Sequence, residues 1–232
     1  MRQLRHLHLW GNNIVSLQPR IFQDLTNLQE LIVWGNQITR ISGDEFYGLR
    51  NLKKLDLDRN SIESVQRNAL SSLKSLQILH LGHNKFKVFE ADVFNNLSAL
   101  KVLSLDSNQI NQLKGNSLSG LQNLYTLALN NNKIKTLNAQ WLTNVKMLTN
   151  FFLQHNKLNE IWPEIFTHLK SLRRLDLSFN NIGSFKENNF VSLTNLRYLY
   201  LDNNKLKHLD KLVFIYEELL MKYVALYFHQ TF

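Results

Sequence analysis

The sequence predicts a solenoid, in which short repeats stack along one axis and share a parallel β-sheet. Two observations carry this prediction. An asparagine recurs every 24 residues without insertion or slip, at Asn12, Asn36, Asn60, Asn84, Asn108, Asn132, Asn156, Asn180 and Asn204. A Leu-x-Leu pair, or a close substitute, precedes each asparagine, as Leu175 and Leu177 precede Asn180. A fixed period of this length indicates coils that bury one continuous core.

Each coil opens with a short strand. Alternation along the strand turns both leucines of the pair inward and leaves the residue between them outward. Equivalent strands of successive coils then pair in parallel, about 4.8 Å apart. The asparagine follows where the chain must turn, and its amide both donates and accepts hydrogen bonds. We therefore assign all nine asparagines a structural role, bonding the turn of their own coil and of the next.

Apolar residues at fixed offsets complete the core. The second and fifth residues after each asparagine are apolar, as at Ile38 and Ile41. The tenth is most often phenylalanine, and each buried ring contributes roughly 1.5–3 kcal/mol by transfer estimates. The stretches around Phe46 and Phe94 favour single helical turns. We expect irregular turns or short helical pieces, and no long helix, on the back of the coils.

The period ends at Phe214. Glu217 stands where a leucine is expected, and Phe228 stands where the next asparagine would fall. We predict a solenoid of about nine repeats over residues 1–214 and an atypical tail over residues 215–232. Apolar residues at helical spacing in the tail suit a capping helix that covers the last coil. A chain end unrelated to the repeats, from an incomplete or misjoined coding sequence, explains the tail equally well.

Composition and motifs exclude several classes of protein. The chain has no cysteine, so it has no disulfide framework and no thiolate metal site. It shows no signal-peptide pattern and no apolar run near the roughly 18 residues that a membrane span needs. No catalytic triad, phosphate-binding loop or cofactor motif is present, so we predict no enzyme activity and no cofactor. His6 and His8 share a strand face, but His80 is three coils away, so we predict no metal site.

The repeat Leu-x-x-Leu-x-x-Leu-x-Leu-x-x-Asn-x-Ile-x-x-Ile-x-x-x-x-Phe-x-x-Leu covers about residues 4–214 and resembles the leucine-rich repeat family. Its length and its back phenylalanine are similar to the "typical" extracellular subclass of animals, which includes Toll-type receptors, Slit-like guidance proteins and small proteoglycans. The resemblance implies an α/β horseshoe. The parallel sheet would form the concave face, short helical turns or loops would form the convex face, and a protein partner would bind the concave sheet.

The resemblance also bears on location. Ectodomains of the family usually carry cysteine-rich caps at both ends, and this chain has none. We therefore expect a fragment of a parent protein that lies outside the cell or at the cell surface. The sequon Asn96-Leu97-Ser98 makes Asn96, on the back of its coil, a candidate glycosylation site.

Outward positions of the strands and turns are the candidates for binding, because packing does not dictate their identity. Exposed aromatic side chains on a rigid sheet are common anchors of protein interfaces. The alternative is that these rings only pack on one another along the sheet. We expect the aspartates among them to pair with Lys54 and Arg59. The candidate partner-binding residues are Trp10, Ile32, Trp34, Asp56, Asp58, Phe152, Arg174, Phe179, Tyr198 and Tyr200.

A second candidate surface lies just after the asparagines. Its lysines form what we call the lysine edge: Lys85, Lys87, Lys133, Lys135, Lys157, Lys205 and Lys207. With a net charge of +9, this edge suits an anionic glycan such as a sulfated polysaccharide, or an acidic protein. The alternative is a solvated edge that keeps the solenoid soluble. Aromatic residues do not interleave with these lysines, so we do not expect nucleic acid as a partner.

These observations predict a non-catalytic protein–protein interaction module of an extracellular or cell-surface protein. It would bind a protein ligand or co-receptor on the concave sheet. Two alternatives stay open. One is a glycan- or matrix-binding module that uses the lysine edge, and the other is a cytosolic scaffold.

Overall fold

The computed structural model describes residues 2–214 and 225–227. Ten strands form one parallel sheet in chain order, with one strand from each coil, and this sheet lines the concave face. Equivalent residues pair in register, as Leu7 with Leu31 and Leu175 with Leu199. The strands are His6–His8, Glu30–Ile32, Lys54–Asp56, Ile78–His80, Val102–Ser104, Thr126–Ala128, Asn150–Phe152, Arg174–Asp176, Tyr198–Tyr200 and Ala225–Tyr227. The predicted α/β solenoid is confirmed.

The back of the coils is built from short pieces, as the sequence predicts. Two pairs of two-residue strands lie behind the main sheet: Arg40–Ile41 with Ser64–Val65, and Val88–Phe89 with Gln112–Leu113. One α-helical turn and three 3-10 turns complete the described elements: Ala139–Leu142, Asp44–Phe46, Pro163–Phe166 and Lys211–Phe214. Among the described residues, no helix has the length and apolar character to cross a membrane.

The tail adds a tenth strand to the sheet. Leu226 pairs with Leu199, an offset of 27 residues where the repeats have 24. The capping helix that the sequence suggests falls on residues 215–232, and most of these lie outside the described residues. The three that the structure describes form a strand and continue the sheet.

The core follows the predicted alternation. Leu55 and Leu57 are fully buried, and Asp56 between them is half-buried. Phenylalanine rings stack behind the sheet, with the centroids of Phe89 and Phe94 5.3 Å apart. The first coil is the less buried end, because its apolar side chains pack on the core from one side only.

The asparagines join neighbouring coils. The Asn108 side-chain amide donates to the carbonyls of Leu105 and Asp106 in its own turn, at 3.1 and 3.0 Å. It also donates to Leu81 O in the preceding coil, and its Oδ1 accepts from the Phe86 amide there. From Asn36 to Asn204 the neighbour that the asparagine bonds is the preceding coil, whereas we expected the next coil from the sequence. Each buried amide thus satisfies backbone groups of two coils at once.

One backbone feature escaped the sequence analysis. The residue before each asparagine has a positive φ, between 49° and 68°. Glycine and asparagine adopt this left-handed conformation readily, whereas other residues pay of order 1–2 kcal/mol. The hydrogen bonds of the following asparagine hold the turn in place, and most of these side chains are exposed beside the strand ends. They are Gly11, Gly35, Arg59, His83, Ser107, Asn131, His155, Phe179 and Asn203.

Candidate partner-binding face

The N-terminal end of the concave face carries the predicted tryptophan pair. The ring centroids of Trp10 and Trp34 lie 6.0 Å apart in an edge-to-face arrangement. Trp10 is 58% exposed, whereas Trp34 and Ile32 are half-buried. The Arg59 guanidinium lies 5.9 Å from the Trp34 ring centroid. The structure therefore brings this cluster together and adds Arg59, which the sequence analysis had assigned to the aspartates.

The two N-terminal histidines contact a carboxylate. Glu30 lies 3.1 Å from His6 Nδ1 and 3.6 Å from His8 Nε2, and it accepts a hydrogen bond from Lys54 Nζ at 3.0 Å. The hydrogen bond from Lys54, followed by that from His6, lowers the pKa of Glu30 to about 2. Lys54 is therefore engaged by Glu30, and the expected pairing of Lys54 with the aspartates is wrong. Glu30 is a member of the concave face that the sequence analysis missed.

The middle of the concave face holds an acidic group. His80 Nδ1 lies 3.6 Å from Asp56 Oδ2, and Asp58 accepts a hydrogen bond from the Gly82 amide at 2.5 Å. A side chain at Gly82 would meet the carboxylates of Asp58 and Asp106, at 3.2 and 2.7 Å. A glycine at this position, two residues after the strand ends, therefore lets both carboxylates approach the backbone, and a larger residue would displace them.

Burial and pairing move the pKa values of this group in different directions. Burial favours a higher pKa for Asp56, but the hydrogen bonds from His80 and from the Asp58 amide lower it below its ordinary value. Burial, together with the charge of Asp56, raises the pKa of Asp58. The hydrogen bond to Asp56 raises the pKa of His80, although burial opposes it. Opposite charges therefore stabilise one another within the face.

The same three side chains are the described group closest to a metal-ligand arrangement. One ligand atom each from Asp56, Asp58 and His80 lies within 4.8 Å of the others. Oxygen and imidazole ligands at this separation are of the kind that divalent ions use. From the sequence, we considered His80 as a metal ligand only with His6 and His8, and not with the aspartates. Their spacing across adjacent strands was the signal that could have found this group.

The C-terminal end carries an arginine between two rings. The Arg174 guanidinium lies 5.2 Å from the Phe152 centroid and 4.9 Å from the Tyr200 centroid. Tyr198 lies two residues from Tyr200 on the same strand and is 46% exposed. The three predicted rings and the arginine therefore form one cluster across three adjacent strands, in which the cation lies against ring faces.

Phe179 belongs to the left-handed turn beside this cluster. Its ring stacks on His155 with centroids 4.2 Å apart and planes 15° from parallel, and it is 44% exposed. Phe179 was predicted together with the tyrosines, whereas His155 was not among the predicted residues. Both residues precede an asparagine, so the common turn conformation aligns their side chains on adjacent coils.

The remaining predicted residues lie on other surfaces. Every member of the lysine edge is exposed, and Lys133 Nζ donates a 3.4 Å hydrogen bond to Gln109 Oε1. Asn96 is exposed on the back of its coil, with φ of 70°. The roles predicted for these positions in anion binding and glycosylation stay predictions.

Comparisons with known proteins agree with the fold. A solved structure of a TLR13–ssRNA13 complex matches with a TM-score of 0.81 and 34% identity, covering 84% of this chain and 28% of that one. The Drosophila Toll–Spatzle complex matches with a TM-score of 0.62 and 22% identity, covering 90% and 34%. The chain thus spans about a third or less of these proteins. No curated protein sequence matches. The Leucine rich repeat family model matches residues 2–62, 50–110, 98–158 and 147–206, and the chain therefore belongs to the leucine-rich repeat family.

Proposed function

We propose that the chain is a non-catalytic protein-interaction module of an extracellular or cell-surface protein, and that it binds a protein partner on the C-terminal half of its concave sheet. The two solved structures compared above are complexes, one of Toll with Spatzle and one of TLR13 with single-stranded RNA. Binding is thus the activity known from these relatives. The extracellular setting is supported by the repeat subclass and by the similarity to Toll-like receptors.

The arginine held between two rings is the observation that carries the proposal. Arg174 is placed by Phe152 and Tyr200, and these residues stand on hydrogen-bonded strands. Arginine and tyrosine are enriched among the residues that dominate interface energies. A side chain that is already ordered loses less entropy on binding. The cluster therefore has the composition and the preorganisation of an interface centre.

Two buried polar atoms support the same location. Arg174 Nε and Gln154 Oε1 are inaccessible to solvent and have no hydrogen-bond partner in the described part of the chain. Unsatisfied buried polar groups cost free energy and are uncommon in native proteins. Both atoms belong to concave-face residues on neighbouring coils.

The test compares two pairs of exposed or half-exposed aromatic residues. A panel of secreted and cell-surface ectodomains is screened against the chain, and the affinity of each positive partner is measured by calorimetry for two double variants. Tyr198→Ala with Tyr200→Ala removes the concave rings. Tyr47→Ala with Trp162→Ala removes exposed rings from the convex side and serves as the control.

We expect loss of the concave pair to weaken binding about 1000-fold, because interface tyrosines can contribute about 2 kcal/mol each. The convex pair should change affinity less than about two-fold, since rings outside an interface core are near neutral. Equal losses, or a loss only in the convex pair, would contradict binding at this end of the sheet. The extracellular location is tested by sequencing the full-length transcript. An upstream signal peptide would support that location, and a full-length coding sequence without one would oppose it.

Single-stranded RNA is a second candidate ligand. The similarity to the TLR13 complex gives no support to the expectation that nucleic acid is not a partner. The Arg174 cluster contains the aromatic rings and the cation that single-strand binding uses. The affinity of a single-stranded RNA is measured for the same two double variants, and its competition with a protein found in the screen is tested. Loss of RNA binding in the concave pair alone would place the RNA on this face.

A further inference from the structure

The edge of the sheet opposite the lysine edge is rich in cations. We define the strand-entry edge by two positions in each coil: the residue immediately before the concave strand and the residue three positions earlier. It lies where the chain arrives at the concave face, whereas the lysine edge lies where the chain leaves it. Ten of its residues are exposed lysines or arginines: Arg2, Arg5, Arg50, Lys53, Lys74, Lys101, Lys146, Lys170, Arg173 and Arg197.

These cations lack acidic neighbours. In the segments that run from the back of each coil to the next strand, Asp24 is the only carboxylate from residue 2 to residue 197. The salt bridges of lysine and arginine among the described residues use other cations, such as Arg67 with Asp92 and Lys114 with Glu90 on the convex side. The lysine edge differs here, because Glu63 and Glu160 are interspersed along it. The strand-entry edge therefore keeps its positive charge unneutralised.

The backbone holds this edge rigid. Lys53 N donates to Gln29 O, and Gln77 N donates to Lys53 O, each at 2.8 Å. A second series of asparagines adds side-chain bonds between coils, as when Asn51 Nδ2 donates to Thr26 O at 2.9 Å. Asn27, Asn123 and Asn195 make the equivalent bond. The Cα atoms that carry the cations are therefore held about 4.8 Å apart per coil.

A concavity opens in the first coils of this edge. It has a volume of about 340 Å³, and Arg5 and Lys53 lie on its wall. Amide and hydroxyl side chains, among them Gln29 and Ser75, form the rest, and no carboxylate lines it. Cations beside amide and hydroxyl groups can bind an anionic group together with neighbouring hydroxyl groups.

The order of residues along the edge indicates the kind of ligand. Arg5, Gln29, Lys53, Gln77 and Lys101 occupy successive coils, so a cation recurs every second coil, about 10 Å apart at sheet spacing. An amide stands between each pair of cations. A sulfated sugar chain alternates charged groups with hydroxyls and would meet both kinds of side chain in turn.

We propose that the strand-entry edge of the first five coils binds a linear sulfated polysaccharide, with Arg5, Lys53 and Lys101 on its anionic groups and Gln29 and Gln77 on its hydroxyls. This surface is separate from the concave face, so the proposal does not depend on the protein-binding function. Single-stranded nucleic acid fits less well, because its binding uses successive aromatic platforms. The five side chains that alternate here include no aromatic ring.

The experiment measures the affinity of a size-defined heparin oligosaccharide for the 232-residue chain at 150 mM salt by fluorescence anisotropy. One variant combines Arg5→Gln, Lys53→Gln and Lys101→Gln. The matched control combines Lys133→Gln, Lys135→Gln and Lys157→Gln, which removes three exposed charges from the lysine edge. A third variant, Gln29→Ala with Gln77→Ala, leaves the net charge unchanged. Circular dichroism confirms that each variant is folded.

We expect the strand-entry triple to lose affinity about ten-fold, because each exposed charge pair contributes about 0.5 kcal/mol. The control should change about two-fold or less, through long-range attraction alone. The glutamine variant should lose affinity about five-fold, since it removes two hydrogen bonds that contribute about 0.5 kcal/mol each.

Several outcomes would overturn the proposal. Equal losses of heparin affinity in the two triple variants would show that net charge alone attracts the ligand. An unchanged affinity in the glutamine variant would contradict the proposed contacts of Gln29 and Gln77 with hydroxyl groups. A single-stranded RNA of equal charge that binds more tightly, with the same losses, would identify nucleic acid as the occupant. Absence of heparin binding to the parent chain would exclude the polysaccharide.

Discussion

The N-terminal and C-terminal halves of the concave face share one backbone and differ in what their outward side chains contact. In the N-terminal half, charged groups neutralise one another, as Glu30 does with Lys54. In the C-terminal half, Arg174 lies between Phe152 and Tyr200. Removing paired charges from water is costly, whereas covering rings is favourable. We therefore expect a protein partner to gain most free energy of binding at the C-terminal half.

The largest loss of folding stability should come from the asparagines, and it should be equal in the two halves. Asn84→Leu and Asn180→Leu each leave several buried carbonyls without a donor, so each should lower the free energy of unfolding by about 3 kcal/mol. Both side chains make the same bonds within their own turn and to the preceding coil. Urea denaturation measures the loss.

Asn12→Leu is the matched control for the asparagines. Asn12 is exposed and bonds only its own turn among the described residues, so its loss should be about 1 kcal/mol or less. Unequal losses at Asn84 and Asn180 would show that the halves differ in their framework as well as in their outward residues.

Replacing an arginine should destabilise the fold more in the C-terminal half than in the N-terminal half. Arg174→Ala removes a cation from two rings and should cost about 1–2 kcal/mol, because half-buried cation–ring contacts lie in this range. Arg59→Ala removes an exposed cation from the Trp34 ring alone and should cost about 0.5 kcal/mol. Thermal and urea unfolding measure both, and Arg174→Lys tests whether the planar guanidinium is needed. A larger cost at Arg59 would reverse the comparison.

The smallest change in folding stability should come from Glu30, in the N-terminal half, and it should depend on pH. The pKa of Glu30 is about 2 in the folded chain, below its ordinary value of 4.5. The contribution of Glu30 to stability is therefore present above pH 4.5 and is lost as the pH falls toward 2. Glu30→Gln should lower stability at pH 7 by less than about 1 kcal/mol, as surface ion pairs do. Denaturation at pH 7 and pH 3 should show a smaller difference from the parent at pH 3, and a constant difference would contradict the ionic role.

Much of the fold and part of the candidate site could be predicted from the sequence. The 24-residue period predicts the strands, the buried leucines and the outward rows that bring Trp10 beside Trp34. The partners of the charged side chains could not be predicted, because a long side chain can reach either neighbouring coil. Lys54 accordingly meets Glu30 on one adjacent coil, whereas Asp56 meets His80 on the other.

The contact of Phe179 with His155 shows the same limit. Glycine or asparagine precedes four of the nine asparagines, and this was a signal for a left-handed turn at every equivalent position. Without that conformation, the direction of the Phe179 ring could not be assigned. The strand-entry edge was missed for a related reason: its cations are scattered in sequence and become a row only when the coils are stacked.

The sequence by itself determined the repeat length, the register of the coils and the identity of the buried rows, because a strict period leaves one way to align equivalent leucines and asparagines. The tertiary structure decided which outward side chains meet, which charges are neutralised and which remain free. These properties depend on contacts between residues about 24 positions apart and on the direction each side chain takes. Local sequence does not determine that direction, whereas the stacking of coils about 4.8 Å apart does.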